Sequence, residues 1–172
     1  KGTHGVGKTA MVKACFEAAN LKWKYYSAST MDPWVDFIGV PKEKTDEKGI
    51  SYLELVRPRD LAADEVEAIF FDELNRSHKK IRNAVMELIQ FRSINGVRFK
   101  NLKVIWAAIN PDDDAGTYDV EKLDPAQIDR FEVHVDVPNE PNVAWFKKTF
   151  GAQGERACKW WAALEEKLKP LV

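Results

Sequence analysis

The sequence lacks several features that would place it in a special class of protein. It has only two cysteines, Cys15 and Cys158, and both fall on apolar helical faces, so we expect buried thiols and no disulfide framework. No apolar run is long enough to cross a bilayer and no signal peptide is evident, so we expect no membrane partner. The 26 basic and 27 acidic residues give a net charge of −1, so the protein has no overall positive potential that would attract nucleic acid. The expected location is the reducing cytoplasm.

Length and composition narrow the class further. At 172 residues the chain is expected to form one domain, or one domain with a small appendage. It is 45% hydrophobic and 31% charged, which is typical of a globular protein with a full core. His78 and His134 have no second histidine or cysteine at ligand spacing, so we interpret both as structural. Residues 112–114, three aspartates, are interpreted as a solvated loop.

The first nine residues carry the most specific pattern. Residues 2–9 read Gly-Thr-His-Gly-Val-Gly-Lys-Thr and fit the phosphate-binding pattern G-x-x-x-x-G-K-S/T at every specified position. Its glycines let successive backbone N–H groups turn inward around a phosphate, Lys8 supplies a charge to the β- and γ-phosphates, and the Thr9 hydroxyl is a ligand for Mg²⁺. The alternative is a glycine-rich turn before a helix. The predicted nucleotide-binding residues are Gly2, Thr3, His4, Gly5, Val6, Gly7, Lys8 and Thr9.

Apolar spacing predicts a helix directly after this loop and a strand after the helix. The helix ends at Asn20, and its apolar stripe consists of Met11, Val12, Cys15, Phe16 and Ala19. Residues 22–27 alternate and carry aromatic side chains, which indicates a strand. Residues 28–49 are predicted to be loop-rich, and residues 50–56 are a short strand or a helical turn.

Residues 67–73 form an apolar run that ends in two acids. This pattern predicts a buried parallel strand with Asp72 and Glu73 at its carboxyl end, where ligands bind in open α/β sheets. Asp72 would hold Mg²⁺, usually through water, and Glu73 would polarise the water that attacks the γ-phosphate. Two acids at an ordinary strand end are the alternative, which the preceding phosphate-binding pattern disfavours.

The middle of the chain continues the alternation of helices and strands. Ser77 is predicted to cap a helix whose apolar positions run from Ile81 to Leu88. Asn95-Gly96 between short apolar segments predicts a two-residue hairpin turn. Residues 102–109 are predicted to be another buried strand.

The last third of the chain predicts a short helix over 125–130, an alternating strand over 131–137 and a linker over 138–141. A further helix follows, and its apolar stripe consists of Ala157, Trp160, Trp161, Leu164 and Leu168. Strands that alternate with helices after a phosphate-binding loop predict an α/β fold with a parallel sheet.

Four ordered motifs resemble those of AAA+ ATPases, and within them the MoxR-type branch. Residues 72–76 (Asp-Glu-Leu-Asn-Arg) are similar to the family's Asp-Glu-Ile-Asn-Arg, its Walker B motif. Residues 107–111 fit Ala-x-x-Asn-Pro, and residues 116–118 are Gly-Thr-Tyr, as in the family. Residues 126–131 (Ala-Gln-Ile-Asp-Arg-Phe) are similar to its Ala-Gln-Leu-Asp-Arg-Phe. The resemblance implies a three-layer P-loop NTPase fold, a parallel sheet flanked by helices, followed by the start of a helical lid.

The resemblance also implies roles for individual residues. Asn110 takes the place of sensor 1, which orients the attacking water near Glu73, and its alternative is a strand-end cap before Pro111. Arg130 takes the place of the arginine finger, which reaches the γ-phosphate of a neighbouring subunit; its alternative is a surface ion pair with Asp129 or Glu132. Arg76 either faces the subunit interface or is a solvated charge at a helix entry.

The same resemblance implies a domain division and two insertions. Residues 1–138 would be the AAA+ nucleotide-binding core and residues 139–172 a linker with part of the lid. Because no strand precedes the phosphate-binding loop and the lid is incomplete, we expect a fragment of a longer polypeptide. Residues 35–39 with 50–58 would form the helix-2 insert, and the Asn95-Gly96 hairpin would precede sensor 1. In the family both face the central pore or the substrate; a surface turn is the alternative for the hairpin. Residues 151–156 lie too early in the chain for a sensor-2 arginine.

The expected function is therefore binding and hydrolysis of ATP with Mg²⁺ in a homo-oligomeric ring, expected to be a hexamer. In the family this motion remodels a protein partner, often a von Willebrand factor A-type domain. One alternative is a motor that acts on nucleic acid through a local pore loop with Lys100 and Lys103, although the net charge does not favour it. Another is a scaffold that uses ATP only to assemble.

Overall fold

The computed structural model describes residues 1–110 and 123–164. The helices are α1 (Lys8–Ala18), α2 (Arg59–Ala62), α3 (Lys79–Phe91), α4 (Pro125–Ile128) and α5 (Val143–Ala163). The strands are β1 (Trp23–Ser27), β2 (Val40–Thr45), β3 (Ser51–Val56), β4 (Ala68–Asp72), β5 (Ser93–Ile94), β6 (Val97–Arg98) and β7 (Val104–Ala107). A π-helix (Pro33–Ile38) and a 3₁₀ turn (Leu74–Arg76) complete the regular structure of this part of the chain.

The centre of the fold is a parallel three-stranded sheet in the order β1-β4-β7. Tyr26 of β1 lies opposite Phe71 of β4, and Phe71 lies opposite Ala107 of β7, so β4 has a partner on both edges. All five residues of β4 are buried. The first four residues, Ala68 to Phe71, are apolar because both faces of the strand are covered, which is why the sequence does not alternate; the fifth, Asp72, is a buried acid at the carboxyl end.

The side chains of successive β4 residues pack into two different apolar clusters, because side chains alternate between the two faces of a strand. Ala68 and Phe70 pack with Phe16 of α1. Ile69 and Phe71 join the larger cluster, which includes buried side chains of α3. The sheet therefore has helices on both faces, and the predicted α/β fold is confirmed.

The region between β1 and β4 is more regular than predicted. Residues 28–49 were expected to be loop-rich, but β2 pairs antiparallel with β3 from Val40 opposite Val56 to Thr45 opposite Ser51. The turn is held by Asp46, whose Oδ1 accepts from the backbone N–H groups of Lys48 and Ile50. Because β2 is exposed along its whole length, it has no buried face to impose an apolar alternation.

Two local predictions around the helices are wrong. Ser77 does not cap α3; the cap is His78, whose Nδ1 accepts from the backbone N–H of Lys80, whereas the Ser77 hydroxyl donates to the carbonyl of Leu74. Ser77 lies one residue earlier, in the turn that follows β4. Cys15 is exposed rather than buried, because α1 presents mainly Phe16 to the sheet. Cys158 is buried, as predicted.

The alternating segment 131–137 does not form the predicted strand. Val133 and Val135, which would share one face of that strand, are 76% and 60% exposed. No described strand pairs with this segment, although the N-terminal ammonium of Lys1 donates to the carbonyl of Val135. A strand needs a continuous backbone partner, and one such hydrogen bond does not supply it. The predicted hairpin at Asn95-Gly96 is confirmed as β5 and β6.

The chain divides into two compact units, residues 1–136 and 137–172. The described part of the second unit is a connecting segment and α5, which bends at Gly151, where φ is +59°. Its buried residues are Gly154 and Cys158, whereas Trp160, in the predicted apolar stripe, is 57% exposed. A side chain at position 154 would meet the carbonyl oxygen of Phe146 at 2.2 Å. Leu168 lies outside the described residues. None of the described helices is long and apolar enough to span a membrane.

The packing of β4 predicts a large loss of stability for Phe71→Ala. Phe71 is fully buried, stacks on Tyr26 at 5.4 Å and meets Phe37 edge-on at 5.3 Å. Truncation of such a side chain should lower the free energy of unfolding by about 3–5 kcal/mol, measured by urea unfolding. Val133→Ala, at an exposed position, should change it by less than about 0.5 kcal/mol. Equal losses in the two variants would contradict this account of the core.

Candidate nucleotide site

The phosphate-binding loop leads directly into α1. Gly7 caps the helix with φ +83°, a left-handed conformation that strains any side chain, and no atom lies within 4 Å of where its Cβ would be. Glycine is therefore required there by the backbone conformation and not by crowding. The N–H of Gly2 donates to the carbonyl of Ile109 at 3.3 Å, which places the start of the loop beside the segment that follows β7.

The Lys8 ammonium is surrounded by oxygen acceptors. It donates to the carbonyls of Gly2 at 2.7 Å and Thr3 at 2.8 Å, and to Oδ1 of Asn110 at 2.8 Å. Burial lowers the pKa of Lys8 below its ordinary value, and the nearby Asp72 and Glu73 carboxylates oppose that shift. A charged amine whose three protons are held by the protein is arranged to exchange these oxygens for those of a phosphate.

Thr9 and Asp72 form the second contact between the loop and the sheet. The Thr9 hydroxyl donates to Oδ2 of Asp72 at 2.5 Å, and Oδ1 of Asp72 accepts from the backbone N–H of Glu73 at 3.1 Å. A hydroxyl and a carboxylate are hard oxygen donors, which fit Mg²⁺. The described residues contain no group of three or more acidic, histidine or cysteine side chains that could hold a metal alone. A magnesium ion here would therefore complete its coordination with phosphate oxygens and water.

Glu73 follows β4 in a left-handed conformation, with φ +56° and ψ +40°. Its carboxylate accepts from the Ser29 hydroxyl at 2.9 Å and pairs with Nη1 of Arg76 at 3.2 Å. Nη2 of Arg76 lies 3.3 Å from Nε2 of His4 in the phosphate-binding loop. Arg76 thus lies between the loop and Glu73 within one chain, a position that the sequence did not predict. Neither did the sequence indicate Ser29, which lies in a turn two residues beyond β1.

Asn110 is 5% exposed and follows β7. Its backbone is bonded to the side chain of Asn75, which is 2% exposed. Asn75 lies in the Asp-Glu-Leu-Asn-Arg motif, whose pattern does not give it a role. The usable signal was an amide two residues after a strand-end Asp-Glu, where a buried polar side chain must find partners.

Hydrogen bonds thus join Lys8 to Asn110, Thr9 to Asp72, and Asp72 to Glu73. The described hydrogen bonds of Arg130 do not lead to any of these residues. Arg130 is exposed; Nη1 donates to the carbonyl of Ala126 at 2.9 Å and Nε to Oε1 of Gln90 at 3.4 Å. It forms no ion pair with a described residue, so the predicted alternatives Asp129 and Glu132 are not its partners. Residues 111–118, with Pro111, the three aspartates and the Gly-Thr-Tyr motif, lie outside the described residues.

A phosphate-binding loop that opens a helix, with acids and an amide at the ends of adjacent parallel strands, defines a P-loop nucleotide hydrolase. The profile of the family "ATPase family associated with various cellular activities (AAA)" matches residues 1–139, and the chain belongs to this family. It therefore has the AAA+ fold and carries a domain of this ATPase family.

One solved structure that the chain matches is that of a candidate ATPase from Cytophaga hutchinsonii. It is 20% identical with a TM-score of 0.49, and the match covers 96% of this chain. The chain spans 45% of the length of that protein. No curated protein shows significant similarity to the chain.

The lowered pKa of Lys8 predicts a pH dependence of ATP binding. Phosphate oxygens favour the charged ammonium, so above the pKa of the empty site Lys8 must take up a proton to bind. The affinity for ATP should therefore fall as the pH rises, beginning below 10.5 and by up to about tenfold per pH unit. Lys8→Arg, which stays charged, should show no such fall over the same range. Titration of a fluorescent ATP analogue would measure both profiles, and identical profiles would contradict this interpretation.

Proposed function

We propose that this chain is a MoxR-type AAA+ module that hydrolyses ATP with Mg²⁺ in a ring and uses the motion to remodel a protein partner. The observation that carries the proposal is the hydrogen-bonded set that joins Lys8 to Asn110 and Thr9 to Asp72, with Glu73 adjacent. Three separate segments of the sequence supply these side chains to one end of one sheet.

ATP binding would replace the hydrogen-bond acceptors that the Lys8 ammonium has within the protein. Lys8 would exchange its protein oxygens for the β- and γ-phosphates, and the N-terminal end of α1 favours the same negative charge. Thr9 and Asp72 would hold the magnesium ion. When bound, the ion neutralises the charge that develops on the phosphate oxygens.

The hydrolytic step assigns Glu73 and Asn110 to the attacking water. The water oxygen forms a bond to the γ-phosphorus while the bond from that phosphorus to the bridging oxygen breaks, and ADP leaves with that electron pair. The proton of the water passes to the Glu73 carboxylate, and the Asn110 amide orients the water. Ser29 and Arg76 hold Glu73 in place.

The location of Arg130 supports a ring. Its guanidinium is exposed, and its described hydrogen bonds lead to Gln90 and Ala126 rather than to the Lys8 set. An arginine finger stabilises charge on a phosphate of another subunit and so must be solvent-accessible in the single chain. We propose that Arg130 acts on the neighbouring subunit of a homo-hexamer.

The protein partner rests on the resemblance to the MoxR branch, in which a von Willebrand factor A-type domain is often remodelled. We expect such a substrate to be contacted at the exposed β2–β3 hairpin and at the exposed Asn95-Gly96 turn between β5 and β6. A net charge of −1 supports a protein partner over nucleic acid.

Glu73→Gln should bind ATP as tightly as the natural chain but lose hydrolysis by about 100-fold or more, because an amide accepts no proton from water. Phosphate release and binding of a fluorescent ATP analogue would be measured on the assembled protein. Glu67→Gln, at the opposite end of the same strand, removes a surface ion pair with Lys103 and should leave turnover unchanged. Full turnover in Glu73→Gln would remove Glu73 from the mechanism.

Mixed assemblies test whether Arg130 acts across subunits. Arg130→Ala and Lys8→Ala subunits should each be inactive alone, because one lacks the finger and the other cannot bind nucleotide. A mixture should regain part of the activity, since a Lys8→Ala subunit still offers Arg130 to a neighbour with an intact loop. Phosphate release across a series of mixing ratios would show it. If no ratio regains activity, the proposal of action between subunits fails.

A further inference from the structure

The side chain of Asn75 makes two hydrogen bonds to the backbone of one residue of the candidate site. Its Nδ2 donates to the carbonyl of Asn110 at 3.0 Å, and its Oδ1 accepts from the backbone N–H of Asn110 at 3.4 Å. Asn75 and Asn110 are 2% and 5% exposed, so water does not replace these partners. One amide thus satisfies both polar groups of a buried peptide residue, as a neighbouring strand would.

This pairing continues the sheet past the point where the backbone ladder ends. The paired residues of β4 and β7 end at Phe71 and Ala107, after which the Ala108 N–H donates to the carbonyl of Phe71 at 2.8 Å. At Glu73 the chain turns away in a left-handed conformation, so β4 offers no backbone to the residues that follow. The Leu74 N–H still reaches the carbonyl of Ala108 at 3.1 Å, and the Asn75 side chain then reaches Asn110.

The backbone of Asn110 determines where its side chain acts. Oδ1 of Asn110 accepts from the Lys8 ammonium at 2.8 Å. Asn75 is two residues after Glu73, so it ties Asn110 to the same short turn that carries the proposed base. A fixed distance between these two groups is what the orientation of one water molecule requires.

We propose that Asn75 is a positioning residue, which fixes the backbone of Asn110 and thereby the amide that orients the attacking water. This inference rests on the role of Asn110 in the proposed function. The alternative is that Asn75 only stabilises the fold by pairing buried polar groups.

Ser77 offers a matched control for that alternative. It lies in the same segment, is 4% exposed, and its hydroxyl donates to the carbonyl of Leu74 at 2.7 Å. It has no described hydrogen bond to Asn110. Ser77→Ala therefore removes a buried side-chain hydrogen bond without touching the candidate site.

The experiment compares steady-state turnover, ATP affinity and thermal unfolding in the full chain. The variants are Asn75→Ala, Asn75→Asp, Asn110→Ala, Ser77→Ala and the double variant Asn75→Ala with Asn110→Ala. Asn75→Ala should lower kcat by about 10–100-fold, with a change of less than about threefold in ATP affinity. Asn75→Asp keeps the volume of the side chain but sets an oxygen against the Asn110 carbonyl, so its kcat should fall at least as far. Ser77→Ala should lower the unfolding temperature with kcat unchanged.

The double variant separates the two explanations. If Asn75 acts through Asn110, Asn75→Ala should cause no further loss of kcat once Asn110 is alanine. If the losses of kcat in the two single variants multiply in the double variant, the inference is overturned. It is also overturned if Asn75→Ala and Asn75→Asp have the same kcat as Ser77→Ala. Either result leaves the proposed function standing. Full turnover in Asn110→Ala would refute the proposed role of Asn110 itself, and with it the positioning role of Asn75.

Discussion

The burial of β4 between two neighbouring strands and two apolar layers is the constraint on which the rest of the structure depends. Its five residues have no exposed face, so Ile69 and Phe71 must fill one cluster and Ala68 and Phe70 the other. A strand held in this way cannot slip along its axis by one residue without moving each side chain to the opposite cluster and displacing Asp72 from the Thr9 hydroxyl, because its residues alternate between the two faces. Apolar packing therefore sets the position of the acids that follow.

The candidate site lies where the three parallel strands end. Ser29 follows β1, Glu73 follows β4 and Asn110 follows β7, so one edge of the sheet gathers groups that are distant in sequence. Both charged groups of the site have partners within the chain: Lys8 donates to Asn110 and two carbonyls, and Glu73 contacts Arg76 and Ser29. These hydrogen bonds and this ion pair compensate for the loss of water around the charged groups. Without them, burial of the charges would destabilise the site.

Contiguous patterns allowed the sequence to predict β4, the phosphate-binding loop and the β5–β6 turn. Each of these depends on residues that are neighbours in the chain. The predictions that failed concern segments whose structure depends on other parts of the chain. β2 is exposed on both faces and is a strand only because it pairs with β3, whereas residues 131–137 have the alternation of a strand but no described strand to pair with. Asn75 and Ser29 were missed as site residues because their importance lies in the residue that they contact, 35 and 44 positions away. Local spacing holds no information on such partners.

The left-handed conformation of Glu73 has a consequence for how this protein can be stabilised. A non-glycine residue at φ +56° carries a backbone cost of about 1–2 kcal/mol, and here that residue is the proposed base at the end of β4. Glycine at this position would remove both the strain and the acid. Selection for thermal tolerance alone would therefore favour loss of the side chain that we propose as the base. On that proposal activity and stability are opposed at Glu73, and a screen for stable variants has to select for turnover as well.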